Sequence, residues 1–174
     1  LFSGADQTVE QLLKQSDFAM YQAKAAGRNG LCFFDAAMQI TEQADTRLEE
    51  ELRQALEEGQ LRLHYQPQVD EQGKMTGAEV LVRWQHPLRG LIYPNEFIRR
   101  GKETGQILKM DQWVLETACA QLVLWAAKTG KGHLTLAVNI SSREFRQPNF
   151  VSAVQAIMRD TGAVSRRMAC TALT

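Results

Sequence analysis

The sequence predicts an α/β fold resting on a parallel sheet or barrel. Two observations carry that expectation. Stretches in which polar and apolar residues alternate take turns with stretches in which apolar residues recur every three or four positions, and glycine-containing turns separate them. The first helix is expected over Val9 to Ala26, where Val9, Leu12, Leu13, Ala19, Met20 and Ala23 mostly keep helical spacing before Gly27. Leu31 to Phe34, an apolar run after the turn signal Asn29-Gly30, is expected to be a strand. Ile40, Ala44, Leu48, Leu52 and Leu56 then share one face of a second, acidic helix closed by Gly59, which reads as a connector between two domains. Its charge run is most simply a solvated face.

After Gly59 the period becomes two. Leu61, Leu63, Tyr65 and Val69 lie on one side and Arg62, His64, Gln66 and Gln68 on the other. Asp70 to Lys74 form a polar turn, and alternation resumes over Met75 to Trp84, so the two strands are expected to form an antiparallel hairpin. Pro94 suits a first helical turn, with a short helix over Asn95 to Glu103 before Gly105. A longer helix follows from about Lys109 to near Gly130, its face carrying Trp113, Val114, Thr117, Ala118, Gln121, Leu122 and Trp125. Leu134 to Ile140 reads as a buried strand, and Pro148 to Thr161 as a helix with Val151, Val154, Ile157 and Met158 inside.

Composition narrows the function classes. With 20 basic and 20 acidic side chains, the chain has no long-range field to gather a nucleic acid polymer or an anionic membrane, so an anionic ligand must be held by local groups. No apolar run approaches the ~20 residues of a membrane-spanning helix. Cys32, Cys119 and Cys170 have neither zinc-site nor disulfide-framework spacing, and Leu1 to Gly4 have no secretory pattern, so a cytoplasmic location is expected. Nucleophile elbow, P-loop and dinucleotide fingerprint are all missing.

The residues able to carry chemistry sit on the strands. Alternation puts Glu79, Leu81 and Arg83 on one face of Met75 to Trp84, and Ala78, Val80 and Val82 on the other. A carboxylate is a hard ligand for Mg²⁺ or Mn²⁺ and an arginine can clamp a phosphate, but on these residues alone a simple Glu79–Arg83 ion pair is slightly favoured. Asn139, sharing a face with Thr135 and Ala137, could ligate a cation through its amide oxygen or simply cap a turn. Gln66 reads first as a polar face residue, and His64, His86 and His133 lack the spacing of a shared site.

Taken together, Leu63-His-Tyr-Gln-Pro67, Gly77-Ala-Glu-Val-Leu-Val-Arg-Trp-Gln-His-Pro87, Gly90-Leu-Ile-Tyr-Pro94, Phe97-Ile98 and Val138-Asn-Ile-Ser141 resemble the opening half of EAL domains, across Leu61 to Gly162. The resemblance implies a TIM-type barrel, here incomplete, that hydrolyses cyclic di-GMP to pGpG with Mg²⁺ or Mn²⁺. It implies that Glu79 and Asn139 are metal ligands and that Gln66, Leu81 and Arg83 meet the dinucleotide, reversing the ion-pair preference. A homodimer through EAL domains is a further implied partner. Upstream, Ser16-Asp-Phe-Ala-Met-Tyr-Gln-Ala-Lys-Ala-Ala-Gly-Arg-Asn29 resembles the closing helix and loop of a GGDEF diguanylate cyclase domain, in which Lys24 and Arg28 would touch phosphate; a basic pair at a helix C-terminus fits the spacing equally well. The GGDEF signature itself is not in this chain. The expected division is residues 1–38 as a GGDEF remnant, 39–60 as connector and 61–174 as the EAL part.

Three departures from the EAL pattern stand out. Glu79-Val80-Leu81 replaces Glu-Ala-Leu, a change expected to affect packing more than metal binding. Arg99-Arg100-Gly101-Lys102 stands where the family has Pro, an apolar residue, Ala and an acid, which is expected to weaken the helix and alter the mouth of the site. Arg167 to Thr174 replaces an acidic strand that supplies a further glutamate ligand. The expectation is therefore a phosphodiesterase parent whose 174-residue piece is inactive and poorly folded alone, or else a degenerate domain that binds cyclic di-GMP or a protein partner without hydrolysis.

Overall fold

The computed structural model describes residues 8–25 and 31–173. The chain divides into two compact units, residues 1–46 and 47–174. In the first, helix α1 (Val9–Ala25) opens with a reciprocal cap: the Thr8 hydroxyl accepts from the Gln11 N–H at 3.3 Å, and the Gln11 side chain accepts from the Thr8 N–H at 2.9 Å. Residues 31–35 form no strand, which corrects the reading of Leu31 to Phe34; Leu31 and Phe33 are both exposed. A short apolar run does not by itself make a strand, because a strand needs a partner edge. Lys24 lies exposed in the last turn of α1, whereas Arg28 lies outside the described residues. Helix α2 (Ala36–Glu57) starts where the Asp35 carboxylate accepts the Ala37 N–H at 2.9 Å, and runs across the division into the second unit.

The second unit is a five-stranded sheet with helices packed against one face. Strands β1 (Leu61–Val69) and β2 (Met75–His86) form the expected antiparallel hairpin, from Leu61 opposite Trp84 to Val69 opposite Met75. The Asp70 carboxylate closes its turn by accepting the N–H groups of Gln72 and Lys74. A three-residue strand β3 (Gly90–Ile92) returns antiparallel to β2. Helices α3 (Pro94–Thr104) and α4 (Ile107–Ala126) lead to β4 (Thr135–Ser141), which pairs in parallel with β2. The short helix α5 (Ser142–Phe145), helix α6 (Phe150–Thr161) and a 3-10 turn at Ser165–Arg167 lead to β5 (Met168–Leu173), parallel to β4. The sheet order is β1-β2-β4-β5, with β3 on β2.

Alternation decides which face is dry. Ala78, Val80 and Trp84 of β2 and Leu136, Val138 and Ile140 of β4 are buried against Phe97 of α3, Ile107, Met110, Val114, Ala118 and Leu122 of α4, and Leu52 and Ala55 of α2. The other face carries the polar residues. Among the described residues no helix is long and apolar enough to cross a membrane.

Candidate functional site

The polar face of the sheet gathers the residues singled out from the sequence. Cross-strand pairing puts Gln66 of β1 opposite Glu79 of β2, so these two side chains share a face. Parallel pairing puts Glu79 beside Ala137 of β4, and Asn139 lies one alternation further along the same face. There the Asn139 side-chain amide donates to Glu79 Oε1 at 2.7 Å. An ionised carboxylate only accepts, so it is the NH₂ group of Asn139 that faces Glu79. Glu79 Oε2 and Asn139 Oδ1 are then left as two hard oxygens, suited in chemistry to Mg²⁺ or Mn²⁺, which is commonly held by one or two carboxylates with water and phosphate oxygens completing the shell.

Arg83 is not paired with Glu79. Its guanidinium donates to the Val82 carbonyl at 2.8 Å and stacks over the Tyr93 ring, 4.9 Å from the centroid. The bare-sequence preference for an ion pair is therefore corrected; four strand positions separate the two Cα atoms by roughly 13 Å. Leu81, between them, is half-buried and lines a cavity of about 200 Å³ together with Val80, Pro94, Ile98, Met110 and Asn139. Gln66 is exposed.

Three residues of this neighbourhood were not singled out from the sequence. Thr171 of β5 is in register with Asn139. Ser141, at the end of β4, caps α5 by accepting the Glu144 N–H at 3.2 Å. Asp111, only 4% exposed on α4, accepts both the N–H of Ser141, at 3.1 Å, and its hydroxyl. Burial pushes the Asp111 carboxyl up to about 6, against the lowering pull of the Ser141 hydrogen bonds; nearby Glu144 adds to the rise and Lys102 opposes it. One signal could have exposed Asp111: it falls on the apolar stripe Ile107, Val114, Leu115, Ala118 and Leu122, where an unpartnered acid is out of place. Among the described residues no three His, Cys, Asp or Glu side chains converge to hold a metal ion.

Two histidines serve the scaffold, while His64 is exposed. His86 is buried and its Nδ1 accepts the N–H groups of Leu88 and Arg89, both at 3.1 Å, while His133 meets the Met75 carbonyl.

A sequence model described as the EAL domain matches residues 49–170. The chain is 44% identical over 161 residues to the bifunctional diguanylate cyclase/cyclic di-GMP phosphodiesterase MucR of Pseudomonas aeruginosa, covering 91% of this chain and 23% of that protein. It is 37% identical over 164 residues to the cyclic di-GMP phosphodiesterase NbdA of the same organism, covering 93% of this chain and 21% of the relative. The solved PaMucR phosphodiesterase in complex with c-di-GMP superposes with a TM-score of 0.68 at 38% identity, over 71% of this chain and 50% of that one. The chain thus spans less than a quarter of the length of these curated relatives.

Proposed function

Because the chain belongs to the EAL domain family, we propose that it carries the first half of a cyclic di-GMP phosphodiesterase domain, with Glu79 and Asn139 as ligands of one divalent cation and Gln66, Leu81 and Arg83 along the dinucleotide. The observation that carries this reading is the hydrogen bond that brings Asn139 to Glu79 on the polar face. A bound Mg²⁺ or Mn²⁺ would supply a lowered water pKa and neutralise charge on the phosphodiester. The chain's own part is to place donors. Glu79 gives the one negative charge of the pair, Asn139 orients its carboxamide against it, and Arg83 offers a planar fork to a phosphate, its plane steadied by Tyr93. Residues 1–38 read as the tail of a GGDEF domain, a reading supported by the composition of the relative MucR as its name gives it.

A second reading, binding without hydrolysis, is favoured by Thr171. Arg167 to Thr174, where the resemblance implies an acidic strand with a further glutamate ligand, carry no acid, and the β5 residue in register with Asn139 is a threonine. Calorimetry with cyclic di-GMP and chromatography for pGpG in Mg²⁺ or Mn²⁺ separate the two. Both measurements are made on this chain completed by the remaining half of an EAL domain. Turnover there abolished by Glu79→Gln supports the enzyme, binding without turnover supports the second reading, and neither binding nor turnover rejects both, whereas the 174-residue chain alone is expected to show no turnover. Thr171→Glu is expected to tighten Mn²⁺ binding by roughly tenfold or more, as an added charged ligand should.

A further inference from the structure

The parallel ladder between β2 and β4 runs from Gly77 opposite Thr135 to Val80 opposite Val138, and there it stops. Asn139 lies one residue beyond the last of these partners, at the end of the ladder. On the far side β5 pairs with β4 out to Ser141, which holds the end of β4 to β5 and not to β2. What ties this strand end to the helix layer is Asp111. Its Oδ2 takes the Ser141 N–H at 3.1 Å and the Ser141 hydroxyl, and that hydroxyl in turn takes the Glu144 N–H at 3.2 Å, so one buried carboxylate sets both the end of β4 and the start of α5. The cavity of about 200 Å³ touches Asp111, Asn139, Ser141 and Val80, and gives the strand end room to shift once that tie is cut.

We propose that Asp111 is a positioning residue for Asn139: by clamping Ser141 it holds the end of β4 so that the Asn139 carboxamide meets Glu79. The proposal rests on the reading of Glu79 and Asn139 as a cation-holding pair. Asp111 faces Ser141 and touches neither donor through a hydrogen bond, so its effect passes through two residues of backbone. Outer groups that orient ligands in this way commonly change metal affinity by 10–100-fold.

The test is nuclear magnetic resonance of the Asn139 side-chain NH₂ in the whole chain, its signal assigned by loss in Asn139→Asp. Asp111→Ala is expected to move both NH₂ protons toward free-carboxamide positions and to speed their exchange with water at least about tenfold, as loss of a hydrogen bond worth about 1.4 kcal/mol requires. Asp111→Asn, whose amide oxygen still accepts from Ser141, is expected to restore most of the wild-type signal. Leu122→Ala empties a fully buried site further along the same helix and is expected to lower the melting temperature without moving Asn139. Wild-type Asn139 signals in a folded Asp111→Ala protein overturn the proposal, and so does an equal shift in Leu122→Ala. If Asp111→Ala does not fold, Ser141→Ala, which removes the hydroxyl arm and keeps the N–H arm, decides by the same signal; an unmoved Asn139 there overturns it. Added Mn²⁺ is expected to broaden the wild-type Asn139 signal, with about tenfold weaker affinity in Asp111→Ala. A wild-type signal untouched by Mn²⁺ defeats the cation reading, while the metal-free NH₂ comparison still judges Asp111.

Discussion

Asp111 shows what a single buried acid does to the stability of this fold. Burial pushes its carboxyl up to about 6 in the folded chain from the ordinary 3.8, because it disfavours the charge more than the Ser141 hydrogen bonds favour it. Between those values the folded chain binds more protons at this site than the unfolded chain does. Stability from Asp111 is therefore fully present below pH 3.8 and is lost as pH rises through about 6, the reverse of a carboxylate held in an ion pair. The difference is of the order of 2–3 kcal/mol. Asp111→Asn cannot titrate, so the stability of wild type minus variant is expected to fall between pH 4 and pH 7 in urea unfolding, and a flat difference would show that the carboxyl is not raised. Glu79 and Arg83 illustrate the opposite side of residue-scale reading. Alternation alone put them on one face, but it gives no lateral distance, and Arg83 chose the Tyr93 ring and a backbone carbonyl instead of the acid.

At the scale of elements, α3 tests the reading that Arg99-Arg100-Gly101-Lys102 weakens a helix. The helix forms over Pro94–Thr104 all the same. Arg99 bonds Glu103 one turn on at 2.7 Å, and Arg100 reaches Glu49 at 3.1 Å and Glu103 at 3.3 Å, so the basic run is absorbed by acids within the second unit. The weakness that remains is Gly101, buried mid-helix. A Cβ built there meets Leu52 Cδ2 at 3.5 Å and the Ile107 N at 3.7 Å, ordinary contacts, so Gly101→Ala is expected to raise stability by about 0.5–1 kcal/mol. Gly77 in β2 is the contrary case. A Cβ there would stand 2.6 Å from the Thr135 carbonyl oxygen, so Gly77→Ala is expected to cost about 1–3 kcal/mol through separation of β2 from β4. Thermal melts of both variants check the pair: the same sign at both positions would mean that the local packing is misread. Elements with several periods were legible in the sequence, namely α1, α2, α3, α4, α6 and the three strands β1, β2 and β4. Those without a period were not. The three residues of β3 cannot show alternation, and α5 is a single capped turn. Met168 to Leu173 of β5 carry no marked alternation of polar and apolar residues, yet their backbone pairs with β4 regardless of side chain. Of the site, Glu79 and Asn139 were singled out through family resemblance, and the structure adds the hydrogen bond between them; Asp111 and Ser141 were not singled out, since their contact joins α4 to β4 across thirty positions of chain.

For the whole molecule, the informative question is where the sheet-bearing unit begins. The contact division falls after Thr46, and the family match begins at residue 49, both inside α2. Physical chemistry gives the reason. Leu52 and Ala55 are buried at 1% and 0% exposure in the same core as Trp84, Phe97 and Met110, with Leu48 and Leu56 packed on its edge. Polar ties add direction: Glu49 bonds Arg100, its carbonyl accepts from Gln106 at 3.1 Å, and Glu51 bonds Arg89 at 3.1 Å. Partly exposed pairs of this kind contribute roughly 0–1 kcal/mol each, so the apolar side chains decide the outcome. A chain beginning at Arg47 is therefore expected to melt within about 2 °C of the full chain in the transition that reports on the sheet. A chain beginning at Gln60 keeps the Gln60 hydrogen bond to the Trp84 indole at 2.9 Å, yet loses the helix that covers the core. With about 1.5–3 kcal/mol for a buried leucine and smaller amounts for its partly buried neighbours, its loss is expected to reach roughly 3–6 kcal/mol. At about 3–5 °C for each kcal/mol in a unit of this size, the melting temperature should drop by more than about 10 °C. Tryptophan fluorescence during thermal unfolding reads the difference directly. Equal melting temperatures for the chains beginning at Arg47 and Gln60 would mean that α2 is a tether and not a structural part of the unit, and a large drop already at Arg47 would place part of its core before the division.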